Sequence, residues 1–150
     1  MKLSSPVFEN GSKIPSKYTC NGEDINPPLN ISGVPSSAKS LVLIMEDPDV
    51  PKNLRPDGMW DHWIVFNIPP DTGEIPEGRD PRGVNGKGTG GNLGYMGPCP
   101  PDREHRYFFK LFALDRTLDL PEGAKKVEVE TAMEGHVLEK TEVIGLYEQS

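Results

Sequence analysis

The sequence predicts a single domain built mainly of β-strands, and three observations carry that expectation. Gly and Pro, 16 of each in 150 residues, punctuate the chain far more often than in an average protein. Apolar runs recur between them, each closed by a turn signal, which is the pattern of short strands rather than of disorder. The length suits one domain with a core of useful size, and no internal repeat or linker divides it.

Residues 3–8 read as a short opening strand. Asn10-Gly11 and Cys20-Asn21-Gly22-Glu23-Asp24 read as turns, because Asn-Gly tolerates the positive φ of a tight turn. Two prolines exclude a central strand at Asn26-Pro27-Pro28, and residues 29–31 pair only briefly before Gly33-Val34-Pro35. Residues 40–46 are apolar without alternation, which predicts a strand buried on both faces. That strand runs into Asp47-Pro48-Asp49-Val50-Pro51. Pro48 holds Asp47 out of helical geometry, so its carboxylate is fixed at the strand end.

A polar loop follows, and residues 60–68 form a second strand closed by Pro69-Pro70. A period of two places Trp60, His62, Ile64 and Phe66 on one face. His62 is then partly buried among aromatic and aliphatic neighbours and needs a partner. Residues 71–94 are glycine-rich and read as a long surface excursion, of the kind that is often functional or mobile. Within them Gly86-Lys87-Gly88-Thr89-Gly90-Gly91 has neither Walker nor dinucleotide-fold spacing, so no phosphate loop is expected.

A rigid Gly/Pro loop, residues 95–104, feeds a third strand at 107–114. Residues 115–117 and 120–123 turn the chain twice. Residues 127–137 carry Val129, Ala132, Met133 and His136 at helical spacing and form the one expected helix, fraying at Gly135. His136 reads as structural there. Residues 143–147 close the domain as a strand.

The net charge of −7 excludes a general nucleic-acid binder, whose affinity rests on a basic surface. Eight acids between Asp119 and Glu148, against Lys125, Lys126 and Lys140, read as a solvated face. No apolar segment nears the ~20 residues that cross a bilayer, and the first residues hold no continuous apolar stretch of a signal peptide. The default expectation is a cytoplasmic protein without a transmembrane segment. Cys20 and Cys99 are too few for a disulfide scaffold or a zinc cluster. They read first as buried free thiols, with a single bond between them as the alternative.

Three elements each set a polar side chain beside a strand end or rigid turn: Asp47, His62 and His105. Such a set admits a metal site, an acid/base pair or an anion hole. Two His and one carboxylate are a known metal triad, but no His-x-His or Glu-x-x-His spacing presets its geometry here. Arg103 and Arg106 flank His105, and cations repel a divalent metal while favouring phosphate or carboxylate. Gly97 and neighbouring N–H groups add neutral donors to such a cradle. No metal or cofactor is therefore expected. Arg106 either reaches the anion or pairs with an acid elsewhere. For Cys99 a reactive thiol is the minor reading, since only Arg103 nearby favours a thiolate.

Asp47-Pro48-Asp49-Val50-Pro51, Trp60-Asp61-His62 and Tyr95-x-Gly97-Pro98-x-Pro100 leading to His105-Arg106-Tyr107 resemble the signatures of the phosphatidylethanolamine-binding proteins, also called Raf kinase inhibitor-like proteins. The likeness spans nearly the whole chain, including Tyr18-Thr19-Cys20-Asn21-Gly22 and Pro27-Pro28-Leu29. The Gly-Pro-Cys-Pro-Pro form is similar to the bacterial and archaeal branch. This resemblance implies a Greek-key β-sandwich with a few short helices. It also implies a pocket for phosphate-like anions, phosphorylethanolamine headgroups or nucleotide phosphates.

Carried over by motif, the pocket residues are Asp47, Asp49, Pro51, Trp60, His62, Tyr95, Gly97, His105 and Tyr107. Cys99 joins them, at a position where many relatives carry a small residue. The C-terminal helix that covers the pocket in eukaryotic members has no counterpart after Tyr147, which weakens a lipid-tail or kinase-regulatory role. The expected function is binding of a small phosphate-type anion, with modulation of a protein partner. Inhibition of serine proteases or kinases is the alternative, with residues 71–94 as the presenting element. Phosphoester hydrolysis ranks last, because no nucleophile other than Cys99 is a candidate, and no catalytic residue is assigned. A homodimer is compatible with the sequence.

Overall fold

The computed structural model describes residues 1–149. Among them, nine strands and one helix follow in order: β1 (Lys2–Ser4), β2 (Ser12–Lys13), β3 (Leu29–Ser32), β4 (Ser40–Asp47), β5 (Trp60–Ile68), β6 (Glu74–Ile75), β7 (Val84–Asn85), β8 (His105–Leu114), α1 (Lys126–Met133) and β9 (Val137–Tyr147). A single 3-10 turn, Ser16–Tyr18, precedes β3. The strands make two sheets, a small one in the order β1-β3-β6 and a large one in the order β2-β9-β8-β4-β5-β7. β4 and β5 are antiparallel neighbours, and β8 then returns to the other edge of β4. That return gives the Greek-key crossing of a β-sandwich.

Burial explains why β4 lacks alternation. All eight of its residues are buried, because it lies in the middle of the large sheet with a layer on each face. On one face Leu41, Leu43 and Met45 join Trp63, Tyr107 and Phe109, and Leu3, Ile31 and Ile75 of the small sheet close over them. On the other, Val42 and Ile44 join Ile64 and Phe66 under Val129 and Met133 of α1. Each large apolar side chain fully buried in this way contributes roughly 1.5–3 kcal/mol.

The expected face of β5 is corrected by a β-bulge. Met45 pairs with Trp63 but Glu46 pairs with Asp61, so His62 is the extra residue in the ladder. A bulge of this kind re-aims the side chains beside it. Ile64 and Phe66 face α1, while the His62 ring lies 5.3 Å from that of Tyr107, which belongs to the opposite core. Trp60 and His62 therefore do not share a face with Ile64 and Phe66. Without the bulge, His62 would point toward the helix.

Other boundaries moved for local reasons. β1 ends at Ser4 rather than running to residue 8, as Pro6 has no N–H to give a ladder. The helix stops at Met133, and Gly135 at φ +78° turns the chain out of it. Val137 already pairs with Leu114, and β9 then follows β8 to the pair Tyr147–His105. A long ladder outweighs a weak helical pattern. His136, beyond the helix, bonds Asp115 at 2.9 Å. Residues 71–94 are not a free excursion: β6 pairs with β3, β7 pairs with β5, and Trp63 Nε1 donates to Asp80 at 3.2 Å. No helix among the described residues is long and apolar enough to cross a membrane.

Candidate functional site

The ends of β4, β5 and β8 meet at one rim of the sandwich, around a cavity of about 450 Å³. Asp47, at the end of β4, is held on both carboxylate oxygens. Oδ1 accepts the Asp49 N–H at 2.8 Å, and Oδ2 lies 2.6 Å from His105 Nδ1. His105 Nε2 lies 2.7 Å from Asp102 Oδ1. Both ring nitrogens of His105 thus face carboxylate oxygens, one from the core strand β4 and one from the loop before β8. His105 is 1% exposed.

His62 is set differently. Its Nδ1 lies 2.7 Å from the Met96 carbonyl oxygen. A carbonyl only accepts, so Nδ1 carries the proton and the neutral ring presents Nε2 as an acceptor. Burial drives its pKa below the ordinary 6.5, against the opposing pull of the Met96 bond and the Asp47 charge. The resting ring is therefore neutral at physiological pH.

Tyr107 stands between the two histidines, edge-on to His62 and stacked at 6.4 Å on His105. It is fully buried, and its hydroxyl lies beside the Asp47 carboxylate without a well-formed hydrogen bond among the described residues. Burial first, and the Asp47 carboxylate second, hold that hydroxyl protonated. Trp60, Val50, Leu54, Met96, Pro100 and Pro101 wall the cavity with apolar surface. It thus has a polar floor under an apolar mouth, the usual make-up of a small-molecule site.

Of the residues expected from sequence, Asp47, Trp60, His62, Gly97, Cys99, His105 and Tyr107 line this cavity, and Asp49, Pro51 and Tyr95 do not. Asp49 instead faces Arg106, whose Nε and Nη2 reach its two oxygens at 2.9 and 2.8 Å. Those bonds hold the Asp49 carboxyl below the usual carboxylate range. So Arg106 takes the second of its two expected roles, pairing with an acid. Arg103 is exposed and reaches the Asp49 carbonyl at 3.4 Å. Neither arginine, nor any lysine, lines the cavity. Tyr95 sits behind the wall, its ring edge-on to Trp63 and its hydroxyl donating to the Tyr18 carbonyl at 2.7 Å.

Gly97 is glycine for a reason other than ligand approach. Its N–H donates to Asp24 Oδ1 at 2.8 Å. A Cβ there would collide with the Tyr18 carbonyl and the Asp24 carboxylate. Asp24, Cys20 and Met96 line the cavity but were not among the expected pocket residues. The Asn21-Gly22 turn signal marks where Asp24 lies, but nothing local marks a main-chain carbonyl such as that of Met96.

The reading of Cys20 and Cys99 as buried free thiols is corrected. They form a disulfide spanning a sequence separation of 79, with Cα atoms 5.5 Å apart, and both residues are exposed. Among the described residues no group of three or more His, Cys, Asp or Glu is arranged to hold a metal ion.

The family model described as phosphatidylethanolamine-binding protein matches residues 4–148. The chain belongs to the phosphatidylethanolamine-binding protein family. A UPF0098 protein of Chlamydia muridarum is 51% identical over 149 residues, covering 99% of each chain. One of Methanothermobacter thermautotrophicus is 52% identical over 153 residues, covering 98% of each. Among solved structures, a homologue in this family from Chlamydia trachomatis superposes with a TM-score of 0.96 at 49% identity, covering 99% of this chain and 97% of that one. YbcL of E. coli, described as a new member of the mammalian family, superposes at 0.88 with 27% identity, covering 99% and 98%.

Proposed function

We propose that this member of the family binds a small phosphate-type anion in the cavity between β4, β5 and β8, and that the occupied form modulates a protein partner. The observation that carries the reading is the Tyr107 hydroxyl, a buried donor beside the Asp47 carboxylate that makes no well-formed hydrogen bond among the described residues. An unmet buried donor costs about 1–3 kcal/mol, which an anionic oxygen recovers. The carboxylates nearby are already engaged, Asp47 by His105 and the Asp49 N–H, and Asp24 by the Gly97 N–H. With no lysine or arginine in the lining, the compensating charge must come from a proton taken up on His62 Nε2. His62 is then the group that turns from acceptor to donor as the anion enters.

The apolar mouth fits the organic part of a phosphomonoester better than it fits inorganic phosphate alone. A cytoplasmic location goes with this reading, and a serine protease or kinase is the partner class carried by the family resemblance. The test is thermal: sulfate, phosphate and phosphorylethanolamine should each raise Tm, since a ligand that binds only the native state stabilises it by linkage. Tyr107→Phe should abolish most of the shift. An unchanged shift in both Tyr107→Phe and His62→Ala proteins would place the anion elsewhere and end this proposal.

A further inference from the structure

One wall of the cavity is made of two irregular segments, with no strand pairing between them among the described residues. Residues 16–24 supply Cys20 and Asp24, and residues 95–101 supply Met96, Gly97, Cys99 and the two prolines after it. Three hydrogen bonds cross between them: Cys20 N–H to the Pro98 carbonyl at 3.1 Å, Gly97 N–H to Asp24 at 2.8 Å, and Tyr95 O–H to the Tyr18 carbonyl at 2.7 Å. Among the described residues one covalent tie joins them, Cys20–Cys99. Asp24 sits in the left-handed region at φ +56°, a conformation that a non-glycine residue keeps only when its surroundings hold it. Both cysteines are exposed at the cavity mouth.

We propose that Cys20–Cys99 is a site of thiol–disulfide exchange with low-molecular-weight thiols, and that its state sets the opening of the cavity. A small thiolate attacks one cysteine sulfur and forms a mixed disulfide. The other cysteine leaves as a thiolate and takes a proton from solvent. A second small thiol displaces the first cysteine, releasing a small-molecule disulfide. Two electrons thus pass from two small thiols to the protein. With the tie broken, the Asp24 turn is held against the Gly97 loop by these three hydrogen bonds and by a Gln149 bridge, which accepts from Asn21 Nδ2 at 3.2 Å and donates to the Pro100 carbonyl at 2.8 Å, and the mouth loosens. Bonded, the wall is fixed. The control acts on access and holds for any ligand of the cavity.

Tryptophan quenching tests this on the natural protein. Trp63 is fully buried, while Trp60 is partly exposed on the cavity wall, so acrylamide quenching reports on the mouth alone. Treatment with dithiothreitol under native conditions should yield two alkylatable thiols by intact mass. It should raise the quenching constant about two-fold, as expected for a locally opened segment, with the far-UV circular dichroism unchanged and the effect reversed on reoxidation. Glutathione should give a mixed disulfide at a rate insensitive to low urea. Three results overturn the proposal: exchange only at the rate of global unfolding, quenching unchanged in the reduced protein, or loss of the fold on reduction. A Cys20→Ser/Cys99→Ser protein should quench like the reduced form. If quenching rises while phosphate leaves Tm unmoved, the exchange site stands and the anion reading falls.

Discussion

Asp47 and His105 form a buried pair, Oδ2 to Nδ1 at 2.6 Å, with only 4% and 1% of their side chains exposed. The pair joins the last residue of β4 to the first of β8, so the cavity floor is also a clamp between two core strands. The same ring reaches Asp102, whose side chain is 39% exposed. One histidine thus makes two carboxylate contacts that differ chiefly in solvent access.

That difference predicts unequal costs. Asp47→Ala leaves the buried His105 Nδ1 and the Asp49 N–H without their acceptor and should destabilise by about 1–3 kcal/mol. Asp102→Ala removes a solvent-screened contact and should cost much less. Urea titration at neutral pH measures both, and equal losses would contradict the burial argument.

His62 makes folding pH-dependent in a stated direction. Its folded pKa lies below the 6.5 of an unconstrained ring, so the unfolded chain binds the proton first. Stability from this group is fully present above 6.5 and declines as pH falls from there toward the folded value. His62→Asn keeps a donor for the Met96 carbonyl but has no titration. Urea midpoints of the two proteins should diverge above 6.5 less than they converge below it, with the Asn variant showing the flatter profile.

Anion binding runs the other way. Sulfate keeps its charge from about pH 5 to 8, so any change in its affinity reports on the protein. The groups facing His62 are the Met96 carbonyl, Asp47, His105 and Tyr107. If His62 must be protonated to hold the anion, affinity should rise as pH falls, by up to about tenfold per unit, and level off below the free-protein pKa. Calorimetric titration should show proton uptake in the native protein and none in His62→Asn.

The disulfide closes a long loop, and its removal should cost about 2–4 kcal/mol through the entropy of the unfolded chain. Denaturant unfolding of Cys20→Ser/Cys99→Ser against the oxidised parent checks this. A loss far below that range would mean that the tie strains the native loops or that the reduced unfolded chain keeps residual structure.

Some elements were legible from local pattern because local physics suffices for them. The unbroken apolar run of β4, the Pro69-Pro70 stop after β5 and the apolar run of β8 each reflect burial or a missing N–H, and each lies where expected. Asp47, His62 and His105 were identifiable for the same reason, as polar residues at the ends of those runs. Boundaries set by pairing were less legible. Val137 and Leu138 carry a helical pattern, yet they belong to β9, because only the fold places them beside β8.

The sequence by itself determined the mainly β class, the three central strands and the polar residues at their ends, since periodicity, proline and turn chemistry act over a few residues. Only the tertiary structure decided what those residues do. A bulge against Met45 and Glu46 turned His62 into the cavity, Asp49 drew Arg106 away from it, and Asp24 took the Gly97 N–H. Cys20 and Cys99 met across a separation of 79 residues. Each outcome is a contact between segments distant in sequence, chosen by which partners the packed sheets bring within hydrogen-bond or bonding reach.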